Sequence, residues 1–183
     1  TTMSLPDGYD VQLKGFIDRL DLEGNNINII DYKSGSAKID FDKVEKLFIP
    51  HKERKKQVFQ LLFYVLLMKN AIEDNTGGNI KNPQIASLLK SIGIENSSHN
   101  KAFVPGLYAF ENYFLNKFEW QVRKKTRTVT ELISIESENE IFDEYKAKLE
   151  ECISSIFDKN IPFTQTEDRD TCEYCPYTNI CRR

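Results

Sequence analysis

No run in this 183-residue chain is apolar for long enough to cross a membrane. The most apolar stretch, Val58–Met68, is too short and is broken by Gln60 and Tyr64. No leader with a basic head and an apolar centre opens the chain. Thr1–Leu5 reads as the edge of a longer sequence, and a cytoplasmic location without a membrane partner is the expectation. Net positive charge is also missing: 25 Lys and Arg against 28 Asp and Glu leave −3, so overall charge does not point to a polyanionic partner. Basic residues do cluster, at Lys52, Arg54, Lys55, Lys56 and at Arg123, Lys124, Lys125, Arg127. Such clusters contact phosphates even where acidic helices set the overall sign, and a solvated helix face is the equally ordinary reading of each. Cysteine is absent before Cys152, and neither internal repeats nor low-complexity tracts occur.

What is present describes one α/β domain over residues 1–183. Hydrophobic residues at 40% and charged residues at 29% are ordinary for a globular chain, and the length supports a sizeable core. Lys14–Gly35 predicts a β-hairpin. Val11, Leu13, Phe16, Ile17 and Leu20 give the first arm its apolar content and Ile27, Ile29 and Ile30 the second, with Glu23-Gly24-Asn25-Asn26 as turn chemistry between them. A two-residue loop at Gly24-Asn25 makes paired positions sum to 49 and sets Asp18 opposite Asp31. A loop at Asn25-Asn26 makes the sum 51 and sets Asp18 opposite Lys33. Either way Asp18, Asp31 and Lys33 share one face, because alternate residues of a strand project to the same side. Opposed Cβ atoms lie about 4.5–5.5 Å apart, and two carboxylates that close repel unless a cation separates them. Hard carboxylate oxygens suit Mg²⁺ or Mn²⁺. A bare Asp-x-Lys after a strand is ordinarily a solvated pair; the Gly-x-Ile-Asp-Arg lead-in and the thirteen-residue offset favour a site here.

Lys52 to about Ala71 predicts a long helix, with Phe59, Leu62, Phe63, Leu66 and Leu67 on a broad apolar face. Gln57, Gln60 and Tyr64 fall on one stripe of it, and polar groups on a buried helix need partners. Asn70–Asn100 predicts loops around a short helix near Gln84–Lys90. Phe103–Phe110 predicts a buried strand begun or bent at Pro105-Gly106. Trp120 reads equally as core or as a stacking platform, Leu132–Ile135 as a further strand, and Glu138–Asp158 as a helix stopped by Asn160-Ile161-Pro162.

Cys172, Cys175 and Cys181 form C-x2-C-x5-C near the end of the chain, over a short cysteine-rich tail spanning 172–181. Cysteines two apart in a reducing compartment indicate metal ligation rather than disulfides, and three thiolates need a fourth ligand for zinc or an iron–sulfur cluster. Cys152 is one candidate for that ligand, although among Leu149, Ile153 and Ile156 a plain buried thiol is the more ordinary reading.

The run Gly15-Phe16-Ile17-Asp18-Arg19-Leu20-Asp21, followed by Asp31-Tyr32-Lys33-Ser34-Gly35, resembles the nuclease core of the RecB-like branch of the PD-(D/E)XK superfamily. Gln60-Leu61-Leu62-Phe63-Tyr64 stands where that branch has Q-L-x-x-Y, and the terminal cysteines stand where AddB-type nuclease domains end. The resemblance implies a restriction-endonuclease-like α/β core with a mixed central sheet flanked by helices. It implies that Asp18, Asp31 and the carbonyl of Tyr32 hold Mg²⁺ or Mn²⁺, with Lys33 catalytic and Gln60 and Tyr64 lining the cleft beside it. It also implies a 4Fe-4S cluster in the full-length parent, built from Cys172, Cys175, Cys181 and a distant upstream cysteine, with zinc as the alternative. The branch carries a further ligand, histidine or glutamate, on an N-terminal helix that this chain does not show. His51 and His99 do not match its place, and a fragment lacking that helix is the expectation. No P-loop is present, so a motor would lie upstream. The expected activity is phosphodiester hydrolysis in DNA, exonucleolytic, within a helicase–nuclease that has a partner subunit and acts on double-strand breaks. The alternatives are a stand-alone exonuclease of the CRISPR-associated type and a non-catalytic DNA-binding scaffold.

Overall fold

The computed structural model of the protein describes residues 1–6, 8–49, 54–76, 80–91, 93–94, 101–114, 118–136, 138–162, 164–173 and 175–181. His51, His99 and Lys52 lie outside them. Along the chain run β1 (Thr2–Ser4), β2 (Asp10–Gln12), β3 (Arg19–Glu23), β4 (Asn26–Lys33), β5 (Asp40–Phe41), a 3-10 turn at Glu45–Leu47, α1 (Lys56–Asn75) and α2 (Pro83–Ser91). There follow β6 (Ala102–Ala109), α3 (Phe110–Phe114), β7 (Arg123–Lys125), β8 (Thr130–Leu132), α4 (Glu140–Phe157), a 3-10 turn at Arg169–Cys172 and α5 (Thr178–Cys181). The fold is the expected mixed α/β arrangement. No helix among the described residues is long and apolar enough to cross a membrane.

The hairpin forms with the shorter of the two loops. Arg19 faces Ile30 and Leu20 faces Ile29, a register whose positions sum to 49. Gly24 takes φ 58°, the left-handed backbone that the first loop position of a primed turn requires. Continued by one pair, this register sets Asp18 against Asp31. The first arm is shorter than its apolar pattern suggests. Asp10–Gln12 pairs with β1 instead, Phe16 is 90% exposed, and Asp18 lies one residue before β3 rather than within it. The Asp18 side chain accepts from the Tyr32 amide, so a side-chain acceptor meets β4 just where the β3 ladder begins.

β4 sits at the centre of a mixed sheet, antiparallel to β3 and parallel to β6. Ile27, Ile29 and Ile30 are buried, so both faces of β4 are covered, as its continuous apolar run requires. The crossover from β4 to β6 passes through α1, whose Leu61, Leu62 and Val65 are wholly buried. α1 begins and ends about a turn later than its apolar spacing indicates. Lys55 at its start makes no side-chain cap, while Asn75 and Thr76 donate to the carbonyls of Ala71 and Ile72 at its end.

β6 runs straight through Pro105-Gly106 rather than starting or bending there. Phe103 and Leu107 donate their amides away from β4, to Ile135 and Trp120. The donor that Pro105 lacks would point the same way, so the β4–β6 ladder loses nothing. A Cβ at Gly106 would stand 2.2 Å from Trp120 Cε3. Trp120, which also meets Tyr108 edge-to-face, is therefore a packing residue that needs glycine beneath it.

The region Leu132–Ile135 contributes only the end of β8 and a single bridge from Ile135 to Phe103. α4 starts at an Asn139 cap whose side chain accepts the Phe142 amide at 3.0 Å. Its buried stripe runs through Ile141, Phe142, Tyr145 and Leu149 and then leaves the core, with Ile156 65% exposed. Cys152 is correspondingly exposed, not the buried thiol its neighbours suggest.

Candidate active site

The site forms where the end of β4 meets the first two turns of α1. Alternation puts Ile27, Ile29, Asp31 and Lys33 on the face of β4 that α1 covers. The first two are apolar and vanish into the core; the last two bring charge to its edge. Asp31 is 3% exposed. Lys33 Nζ lies 2.6 Å from Asp31 Oδ2. The approach is close but lies outside hydrogen-bond geometry, so Oδ2 is enclosed and accepts no hydrogen bond. Oδ2 is thus held at the core edge against the Lys33 ammonium, its one cationic partner among the described residues.

From α1, Gln60 presents its Oε1 to Lys33 Nζ at 3.4 Å and donates through Nε2 to the Tyr64 hydroxyl at 2.7 Å. Gln60 and Tyr64 are one turn apart and so lie above one another. Asp31, Lys33, Gln60 and Tyr64 are thus brought into one connected chain of polar groups. Asp18 approaches from the other arm: its Oδ2 accepts from the amide of Tyr32, the residue between Asp31 and Lys33, at 2.9 Å. Tyr32 turns its own side chain to the opposite face, where its hydroxyl accepts from Arg19 at 3.2 Å. Arg19 is otherwise bound to Asp21. The hydrogen bonds to Asp21 and then to Tyr32 push the guanidinium pKa above its already high value. Arg19 is part of the lead-in motif, yet no role for it was legible from residue type and spacing.

Oxygen donors are therefore available from Asp18, Asp31 and the Tyr32 carbonyl, a hard set that suits Mg²⁺ or Mn²⁺. An enclosed carboxylate oxygen that accepts no hydrogen bond fits such an ion, which would share Asp31 with its Lys33 partner. Among the described residues no three His, Cys, Asp or Glu side chains gather into a metal-holding group.

Cys172, Cys175 and Cys181 are free and half-buried. The Cys175 amide donates to the Cys172 carbonyl at 3.1 Å, and the Cys181 carbonyl accepts from Gln165 at 3.1 Å. The tail is folded into successive turns without a gathered ligand set among the described residues.

Of the two basic clusters, Arg123 is committed. It bonds Asp40 at 2.7 Å and Glu119 at 2.5 Å, which holds its guanidinium firmly protonated.

Set against known families, residues 2–182 match the profile described as the PD-(D/E)XK nuclease superfamily. No curated protein and no solved structure gives a significant match to the chain.

Proposed function

The chain belongs to the PD-(D/E)XK nuclease superfamily, and from that premise we propose that it hydrolyses phosphodiester bonds in DNA with the help of Mg²⁺ or Mn²⁺. The observation that carries this reading is the Asp31–Lys33–Gln60–Tyr64 chain, with the Asp18 carboxylate tied to the intervening Tyr32 amide. Asp18, Asp31 and the Tyr32 carbonyl would hold the cation, which supplies Lewis-acid polarisation of the scissile phosphate when bound. Lys33 does the rest of the electrostatic work. Its ammonium sits beside the buried carboxylate and is aimed by Gln60, so it can orient an attacking water and steady charge that develops on the phosphate. Tyr64 fixes the Gln60 amide, which leaves Gln60 Oε1 as the acceptor facing the lysine.

Within that class, the order of the Gly15–Asp21 lead-in, Asp31-Tyr32-Lys33, Gln60-x3-Tyr64 and the terminal cysteines supports a RecB-like domain of AddB type. The wider reading is a domain that acts exonucleolytically in a cytoplasmic helicase–nuclease at double-strand breaks. Its partner subunit and motor would be parts of the full assembly, and the branch's N-terminal helix would bring a further metal ligand. In the parent, Cys172, Cys175 and Cys181 would join a fourth cysteine around a 4Fe-4S cluster, with zinc as the alternative. A Mg²⁺-dependent cleavage assay on the parent protein tests the first part: wild type should degrade DNA, while Asp31→Ala and Lys33→Ala should not. Equal activity in all three refutes the assignment. Absorbance near 400 nm after anaerobic purification supports the cluster, and its absence together with bound zinc refutes it.

A further inference from the structure

Next to the site the surface opens into a cleft of about 890 Å³ between the segment that follows β4 and the start of α1. Two of its walls continue directly from the site. Ser36 lies three residues beyond Lys33, and Gln57 lies one turn before Gln60 on the same stripe of α1. The chain as a whole carries −3, yet this cleft is lined by six cationic side chains against three anionic ones.

The anions are already matched. Asp40 and Glu119 pair with Arg123, and Asp42 pairs with Lys46 at 2.5 Å, a hydrogen bond that lowers the Asp42 pKa. Lys38, Lys55, Lys56 and Lys125 form no ion pair with described residues. Arg54 goes further: its Nε is enclosed and finds no acceptor among them. Its guanidinium is thus uncommitted among the described residues, with its further N–H donors left for an acceptor from outside. The uncapped start of α1, with no acidic residue in its first turn, adds amide donors and a positive helix end on the same wall. Phosphate oxygens answer all three features at once, and arginine is the side chain best shaped for them.

We propose that this cleft is the track along which the phosphodiester backbone of a nucleic-acid strand runs to the site, with the Arg54 guanidinium meeting one phosphate and Lys55 and Lys56 matching its neighbours. The inference rests on the nuclease reading above, because that reading supplies the reason for a strand to lie there, and it deepens that reading by assigning the approach.

The test uses fluorescence anisotropy with a labelled single-stranded 20-mer in EDTA, so that binding is read without cleavage. The triple variant Arg54→Ala/Lys55→Ala/Lys56→Ala should bind at least tenfold more weakly than wild type. Its plot of log affinity against log salt should be shallower by about 2, from about 0.7 per lost phosphate contact on a single strand. Circular dichroism confirms that the variant is folded. Lys148→Ala, on α4, removes one positive charge from a lysine paired with Glu151 and should leave both readings unchanged. Arg54→Lys alone, which keeps the charge but loses the planar fork, should weaken binding with little change in slope. Undiminished affinity and slope in the triple variant overturn the proposal. The two readings fail separately: a wild type that binds through these residues but never cleaves with Mg²⁺ loses the nuclease assignment and keeps the cleft. A wild type that cleaves while the triple variant binds normally does the reverse.

Discussion

The α-carbon of Gly15 lies against the ring of Tyr64: a Cβ there would stand 3.0 Å from Tyr64 Cε1 and 2.8 Å from Leu67 Cδ1. The glycine that opens the lead-in to Asp18 is therefore a packing requirement of α1. The α1 phenol takes the space a side chain would need. Tyr64 receives the Gln60 amide, and Gln60 faces Lys33, so the effect of Gly15 reaches the lysine through two intervening residues.

That relationship predicts a catalytic effect from a residue that touches no substrate. Gly15→Val should displace Tyr64 and loosen Gln60. It should lower kcat by up to about a hundredfold, the range that a misplacement of about 1 Å commands, with KM changed far less. Gly15→Ala should act in the same direction but more mildly, because Leu67 Cδ1 is the end of a flexible side chain and the Tyr64 ring need shift only slightly. Steady-state kinetics on both variants checks this, and full kcat in Gly15→Val would break the proposed link.

The pairing of Asp31 with Lys33 predicts a stability that responds to metal. Removing Lys33 strands a carboxylate that is 3% exposed. Lys33→Ala should cost about 2 kcal/mol, less than the 3–5 kcal/mol of a fully buried pair because the lysine side chain is 33% exposed. Mg²⁺ should restore much of this, since a ligand at one hundred times its Kd stabilises by about 2.7 kcal/mol. Asp31→Asn should lose the Mg²⁺ response altogether. Thermal melts with and without Mg²⁺ decide the matter: an Asp31→Asn variant stabilised as strongly as wild type is incompatible with Asp31 as a ligand.

How much of this was readable beforehand follows from the physics of each feature. The Asp31–Lys33 face was legible because strand alternation is rigid: residues two apart on β4 project to one side whichever loop formed. The choice between the loops was not, since Gly24-Asn25 and Asn25-Asn26 are both good turn chemistry and only the folded register separates them. The Gln60–Tyr64 stripe was visible from helical spacing. The role of Gly15 was invisible, because it depends on an α1 ring forty-nine positions away in the chain. The exposure of Cys152 was missed for a related reason: local apolar neighbours cannot reveal where a helix outruns its core. The cleft drew on residues from four separate segments, and only the fold shows that Arg123 is paired while Arg54 finds no partner among the described residues.

Gly106 and Trp120 give a prediction about the frame rather than the site. A side chain at position 106 would meet the indole at 2.2 Å and the Trp120 carbonyl at 3.0 Å, and the carbonyl cannot swing aside as a flexible side chain does. Gly106→Ala should therefore destabilise by about 1–3 kcal/mol through overpacking. The chain has one tryptophan, so its fluorescence reports on this contact directly. A shift in emission together with a lower denaturant midpoint is expected, and an unchanged midpoint would show that the 118–122 segment moves freely.

Tyr145 predicts an inversion of stability with pH. Its ring packs against Phe48 and Phe59, and its hydroxyl donates to the Phe59 carbonyl at 3.0 Å. Burial, and then the neighbouring Cys152, push the phenol pKa well above its ordinary value of about 10. The folded state thus holds a proton that the unfolded chain releases near pH 10. A group whose pKa is raised on folding contributes its full stability below the unfolded pKa and loses it as pH climbs beyond, here by about 1.4 kcal/mol per pH unit. Tyr145→Phe keeps the ring but removes the hydroxyl. At neutral pH it should cost about 1 kcal/mol for the lost hydrogen bond. Above pH 10 that deficit should shrink, and near pH 11 the variant should overtake wild type. Urea unfolding of both proteins at pH 7, 10 and 11 checks the crossing, and a gap that stays constant over that range would show that Tyr145 titrates alike in the folded and unfolded chains.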